Sequence, residues 1–228
     1  MRPPQLSVTR VAPSILAADF SKLGAQVREV LDVGAKVIHV DVMDGHFVPS
    51  ITMGPLAVSA LREIVAEYGA MLDVHLMIER PERHIAEFTN AGAGSITVHA
   101  EATPHLDYVL DEIRAAGAGA SLAVCPSTPL TVYGEVREMI DMALCMTVNP
   151  GWGGQGFIES SIGKIERLRH MLAEGVSLAV DGGIALGTAE RCAAAGATTF
   201  VAGTAVLGSA DPAGAYVALA ETVGDPRV

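Results

Sequence analysis

Short runs of apolar and β-branched residues, four to seven residues long, recur along the chain and alternate with stretches whose apolar positions repeat at helical spacing. The runs are Val11 to Leu16, Val37 to Val42, Met71 to Met77, Ser95 to His99, Ser121 to Val124, Met142 to Val148, Ser177 to Asp181 and Thr199 to Ala202, and they predict eight strands. Between them, Leu23, Val27, Val30 and Leu31, and later Ile162, Ile165, Leu168 and Leu172, form the buried stripes of amphipathic helices. Several helical stretches stop at a Gly-Ala pair just before the next strand: Gly34-Ala35, Gly69-Ala70, Gly92-Ala93, Gly117-Ala118 and Gly196-Ala197. Glycine takes the left-handed conformation that ends a helix, so this recurrent stop indicates one strand-helix unit used repeatedly. Eight such units predict an α/β fold of the (β/α)8 TIM-barrel class, one domain over 1–228 with the barrel at about 10–223. An open doubly wound sheet would carry GxGxxG after its first strand, where this chain has Ser14-Ile15-Leu16.

In such a barrel the reactive side chains stand at the carboxyl ends of the strands. The second run ends His39-Val40-Asp41-Val42-Met43, and alternation sends His39, Asp41 and Met43 to one face while Val40 and Val42 face the helices. The third run puts His75 and Met77 on one face, and the seventh ends in Asp181 before Gly182-Gly183. Two imidazoles and two carboxylates converging on the mouth match the ligand chemistry of one divalent ion of zinc, iron, manganese or cobalt. Magnesium or calcium would call for an all-oxygen cage instead. His46, His84, His105 and His170 lack such company and read as ordinary hydrogen-bonded or surface residues. On the fourth strand His99 and Glu101 share a face and are expected to support the metal ligands or to form a ligand pair of their own. Met43, Met77 and Met146 fall at strand ends, where they would form an apolar lid or simply core.

Half of the residues are hydrophobic and 18% charged, enough to bury one large core, which excludes disorder. The net charge of −11 repels phosphodiester backbones and anionic membranes, so neither nucleic acid nor a membrane is an expected partner. Cys125, Cys145 and Cys192 form no CxxC pair and suit a reducing cytoplasm, and Met1 to Arg10 lacks the apolar stretch of a signal peptide. The lysines are only Lys22, Lys36 and Lys164, none expected at the mouth, which disfavours Schiff-base and pyridoxal chemistry. An anionic substrate group would instead meet glycine turns: Gly151-Trp152-Gly153-Gly154 after the sixth strand, Gly182-Gly183 after the seventh and Gly203-Thr204 after the eighth. Loops seven and eight are the usual phosphate cradle of this fold. Gly224 to Val228 is expected to be a loose tail, and a homo-oligomer is expected without a motif that sets its number.

The stretches Ala12-Pro13-Ser14-Ile15-Leu16-Ala17-Ala18-Asp19-Phe20, His39 to Pro49, His75-Leu76-Met77, Met146 to Phe157 and Val180-Asp181-Gly182-Gly183 closely resemble the ribulose-phosphate 3-epimerase family. The resemblance implies a TIM barrel acting on a phosphorylated ketose, D-ribulose 5-phosphate or a relative such as D-allulose 6-phosphate. It implies that His39, Asp41, His75 and Asp181 bind one divalent metal, with Asp41 and Asp181 doubling as the acid and base that move the C3 proton through an enediolate. It further implies that Ser14 and His75 contact the substrate, and that Gly151 to Gly154, Asp181, Gly182, Gly183, Gly203 and Thr204 line its sugar and phosphate. Ser50, Cys125, Trp152 and Thr204 replace residues common in the family (Asn, Asn, Phe and Ser) and are expected in substrate-facing loops. Decarboxylation or aldol chemistry would need a lysine beside the second strand, and a non-catalytic sugar-phosphate sensor would not need both Asp and both His.

Overall fold

The computed structural model describes residues 3–227. Strands β1 (Arg10–Pro13), β2 (Val37–Met43), β3 (Met71–Met77), β4 (Ala93–His99), β5 (Gly119–Val124), β6 (Met142–Met146), β7 (Ser177–Asp181) and β8 (Thr199–Ala202) alternate with helices. The helices are α1 (Leu23–Asp32), α2 (Pro55–Glu67), α3 (Ile85–Ala91), α4 (Leu106–Ala115), α5 (Val132–Val136), α6 (Ser161–Met171), α7 (Leu186–Ala194) and α8 (Pro212–Val223). All pairings between strands are parallel, in the order β1-β8-β7-β6-β5-β4-β3-β2. One parallel bridge, Ser14 to His39, joins the two ends, so the sheet is a nearly closed TIM barrel. Apart from Gly94 and Asp181 every strand residue is buried, as expected for a parallel sheet covered on both faces, and this is why the strands read as continuous apolar runs.

Period-two alternation sorts these residues. Val40, Val42, Val74, Leu76, Ile96 and Val98 join the large core shared with the helices. The alternate residues of β2 to β4 are polar and buried: His39, Asp41, Asp73, His75, Ser95, Thr97 and His99. An inner cluster that includes Ala12, Val37, Met71, Ala123, Met142, Leu144, Ala179 and Val201 fills the rest of the barrel, with Leu6 of the short 3₁₀ turn Pro4–Ser7 packed into it. The glycines of the five Gly-Ala stops all have positive φ, from 60° to 116°.

Besides shifts of one or two residues at other strand ends, such as β4 beginning at Ala93 and β5 at Gly119, the structure departs from the sequence reading in three places. The first apolar run ends as a strand at Pro13, because the Ser14 side chain accepts from Leu16 N and opens a 3₁₀ turn over Ile15–Ala17. The sixth ends at Met146; Thr147 then turns to donate its hydroxyl to the carbonyls of Asp181 and Gly182. The carboxyl-terminal segment is not loose as far as Arg227, since Asp225 is buried and accepts from Arg10 Nη1 at 3.0 Å, Val11 N at 2.9 Å, Tyr216 Oη at 3.0 Å and Arg227 N at 2.9 Å. Val228 lies outside the described residues. No helix among the described residues is long and apolar enough to cross a membrane.

Candidate active site and metal centre

The inward faces of β2, β3 and β7 bring the two His and two Asp together. In the β2–β3 register, His39 sits opposite Asp73 and Asp41 opposite His75. Asp41 Oδ1 lies 3.3 Å from His39 Nε2 and 3.1 Å from His75 Nδ1, and His75 Nδ1 lies 3.5 Å from Asp181 Oδ2. One ligand atom from each of His39, Asp41, His75 and Asp181 falls within 4.8 Å of the others, a cluster that could hold a metal ion. The residues fit that group on a specific observation: His39 Nε2 is buried without a hydrogen-bond partner, while His39 Nδ1 is taken by Asp73 Oδ2 at 2.8 Å. An imidazole nitrogen left without a hydrogen bond beside carboxylates becomes, once its proton is displaced, part of a donor set for a first-row divalent cation.

The electrostatics point the same way. Burial works against the charged form of His39, yet Asp41 and Asp73 overrule it and hold the imidazole well above its ordinary pKa. Burial likewise opposes ionisation of Asp41, and the His39 and His75 rings beside it hold the carboxyl below the usual carboxylate range. The pocket therefore selects a cation, a proton or a metal, at this point. Ser14 Oγ donates to Asp41 Oδ2 at 2.5 Å, leaving Oδ1 to face the two rings. Thr52 accepts from Met43 N and donates to Asp41 O, pinning the end of β2 to its following loop.

Above the cluster opens a cavity of about 810 Å³. Asp41 and Asp181 reach its floor, and Ser14, Met43, Met77, Met146, Gly151, Trp152, Gly153, Gly154, Gly182, Gly183, Gly203 and Thr204 line it. His39 and His75 have no exposed surface and lie behind the carboxylates. The three methionines form buried wall, with Met43 and Met77 packed against Val48, Leu16 and Phe47. Gly182 shows why the turn after β7 needs glycine: its φ is 115°, and a Cβ there would meet Val148 Cγ2 at 2.3 Å. Of the four departures from the family pattern, Ser50, Trp152 and Thr204 line the cavity. Cys125 does not; its thiol stands 3.7 Å from His99 Nδ1.

Sequence reasoning missed two parts of this arrangement. Asp73 backs His39, and the signal was available, since Asp73 shares the inward face of β3 with His75 and only the register was lacking. The second is the role of Lys164: it stays away from the mouth, and its buried ammonium donates to the carbonyls of Cys125, Pro126 and Thr128 in the loop after β5, at 2.7, 3.0 and 2.8 Å. Its amine is spent on that loop, outside the cavity lining.

A family model described as Ribulose-phosphate 3 epimerase family matches residues 10–207. The chain is 48% identical over 206 residues to ribulose-phosphate 3-epimerase of Bacillus subtilis, covering 89% of this chain and 94% of that protein. It is 43% identical over 206 residues to the Escherichia coli K12 protein of the same name, covering 88% and 90%. Among solved structures it resembles KGPDC from Streptococcus mutans, with a TM-score of 0.72 at 16% identity over 95% of this chain and 98% of that one. It also resembles 3-hexulose-6-phosphate synthase from Salmonella typhimurium, with a TM-score of 0.71 at 18% identity over 94% and 98%. At such identities these two likenesses speak for the barrel alone. With the family match over most of its length and relatives this similar, the chain belongs to the ribulose-phosphate 3-epimerase family.

Proposed function

We propose that the chain is an epimerase that inverts C3 of a phosphorylated ketose, converting D-ribulose 5-phosphate to D-xylulose 5-phosphate. The observation that carries this reading is the pair of carboxylates, Asp41 and Asp181, brought from β2 and β7 to the floor of one cavity and sharing His75 Nδ1 between them. Inversion at a carbon beside a carbonyl requires a proton to leave one face and another to arrive at the opposite face, which two separate acids accomplish and one does not. In this reading one carboxylate takes the C3 proton as base while the other, protonated, returns one from the far side. A divalent cation of zinc, iron, manganese or cobalt, held by His39, Asp41, His75 and Asp181, would supply positive charge for the enediolate that forms.

The remaining parts follow from the cavity lining. Ser14 holds Asp41 and stands where it also meets the substrate. The glycine turns at Gly151 to Gly154 and Gly182-Gly183, with Gly203-Thr204, leave backbone open to a phosphate, and the amino terminus of α7 begins beside them. The working unit is one barrel domain, about 10–223, in a cytoplasmic homo-oligomer. Turnover of D-ribulose 5-phosphate and D-allulose 6-phosphate, measured side by side, tests the substrate: a higher kcat/KM for the pentulose is expected. Preference for the hexulose overturns the substrate, and tight binding of both without turnover overturns the enzyme.

A further inference from the structure

His75 has two ring nitrogens, and the cavity accounts for only one. Nδ1 faces Asp41 and Asp181, while Nε2 meets His99 Nε2 at 2.9 Å, with ring centroids 5.0 Å apart and ring planes inclined by 22°. Two imidazole nitrogens at that distance share one proton, so one donates and the other accepts. If His75 Nδ1 offers its lone pair to a cation, its proton stands on Nε2 and His99 Nε2 must accept. The proton of His99 then stands on Nδ1, which lies 3.2 Å from Glu101 Oε2. The other Glu101 oxygen accepts from Cys125 N at 2.8 Å and from the Thr128 hydroxyl. That loop is the one Lys164 ties down through its three carbonyl contacts.

We propose that His99 and Glu101 are positioning residues: a carboxylate-imidazole relay that locks His75 in the tautomer with Nδ1 bare toward the metal. This rests on the reading that His39, Asp41, His75 and Asp181 hold a cation. It gives both histidines the same support, since Asp73 does for His39 directly what Glu101 does for His75 through one intervening ring. Carboxylates behind ligating histidines fix ring orientation and raise ligand basicity. A second metal on His99, Glu101 and Cys125, whose donor atoms also lie within 4.8 Å, is the competing use of these residues. It would need the His99 Nδ1 lone pair that the relay fills with a proton. Both Glu101 oxygens are already engaged, and none of the three residues carries a buried unpartnered side-chain N or O atom of the kind seen at His39 Nε2.

The tautomers can be read directly. Protein labelled with ¹⁵N-histidine and loaded with Zn²⁺ at neutral pH is expected to bind one zinc per chain. Its long-range ¹H–¹⁵N correlations should show His75 protonated on Nε2 and His99 protonated on Nδ1. Glu101→Ala is expected to weaken zinc binding by about 10- to 100-fold, Glu101→Gln to fall between it and the wild type, and Cys125→Ser to leave affinity unchanged. His99 protonated on Nε2, or on both nitrogens, overturns the relay while zinc binding leaves the metal reading standing. A second zinc equivalent that disappears in Cys125→Ser also overturns it, and absence of zinc binding refutes both readings together.

Discussion

Ser14→Ala separates two roles for one hydroxyl. The side chain is buried, donates to Asp41 Oδ2 at 2.5 Å and accepts from Leu16 N at 3.2 Å, so its removal frees one carboxylate oxygen and leaves one backbone donor without its acceptor. A hydrogen bond to a charged group contributes about 1.5 to 3 kcal/mol. If this bond is what turns Asp41 Oδ1 toward His39 and His75, losing it should lower cation affinity by about 10- to 150-fold at 1.4 kcal/mol per decade. Competition between the protein and a chelator for Zn²⁺ measures this without substrate. Circular dichroism checks that the barrel stays folded in the variant. Unchanged zinc affinity together with a raised KM would refute the reasoning, because Ser14 would then serve the sugar and not the carboxylate.

Three further outcomes are expected. Asp225→Ala removes the carboxylate that Arg10, Val11, Tyr216 and Arg227 share, and should cost about 3 to 5 kcal/mol in urea unfolding without changing KM; a loss below about 1 kcal/mol would show the latch to be dispensable. Burial pushes His99 down from 6.5 to about 4, so the unfolded chain takes up a proton before the folded one does. Stability from this group is therefore complete above pH 6.5 and lost between 6.5 and 4, on the order of 3 kcal/mol, and the unfolding slope of metal-free His99→Asn over that window should be flatter than that of the wild type; equal slopes contradict it. Because His39 holds its proton well above its ordinary range, a metal must displace that proton. Calorimetry in buffers of different ionisation enthalpy should detect proton release on zinc binding near neutral pH, with affinity falling as pH falls; binding without proton release counts against the site.

Much of this architecture was legible because a barrel strand buried on both faces still alternates in chemistry. His39, Asp41 and His75 stand out for that reason, being polar residues at every second position of runs whose other members, Val40, Val42, Val74 and Leu76, are aliphatic. The helix stops were legible from glycine alone. Register was not, and that concealed Asp73 behind His39 and left open which ligand His99 supports, since contacts between neighbouring strands depend on pairing and not on spacing. Apolar character also overran two strand ends, at Ser14 and Thr147, where a side-chain hydroxyl takes up backbone groups next to the strand: Leu16 N at Ser14, and the Asp181 and Gly182 carbonyls at Thr147. The partners of Lys164 and Asp225 were hidden for a related reason: the Lys164 carbonyls and the Arg10 and Val11 donors of Asp225 lie far along the chain, and nothing local signals such bonds.

The claim on which the rest depends is that Asp41 and Asp181 move protons at C3 from two sides. Incubation with D-ribulose 5-phosphate in deuterated water tests it most directly, with the label at C3 read by mass spectrometry and NMR for the wild type, Asp41→Asn and Asp181→Asn. One deuterium is expected at C3 of the xylulose 5-phosphate formed by the wild type, with epimerisation reduced by about 10²-fold or more in each variant. Product formed without label from solvent, or either variant inverting C3 at close to the wild-type rate, would contradict it.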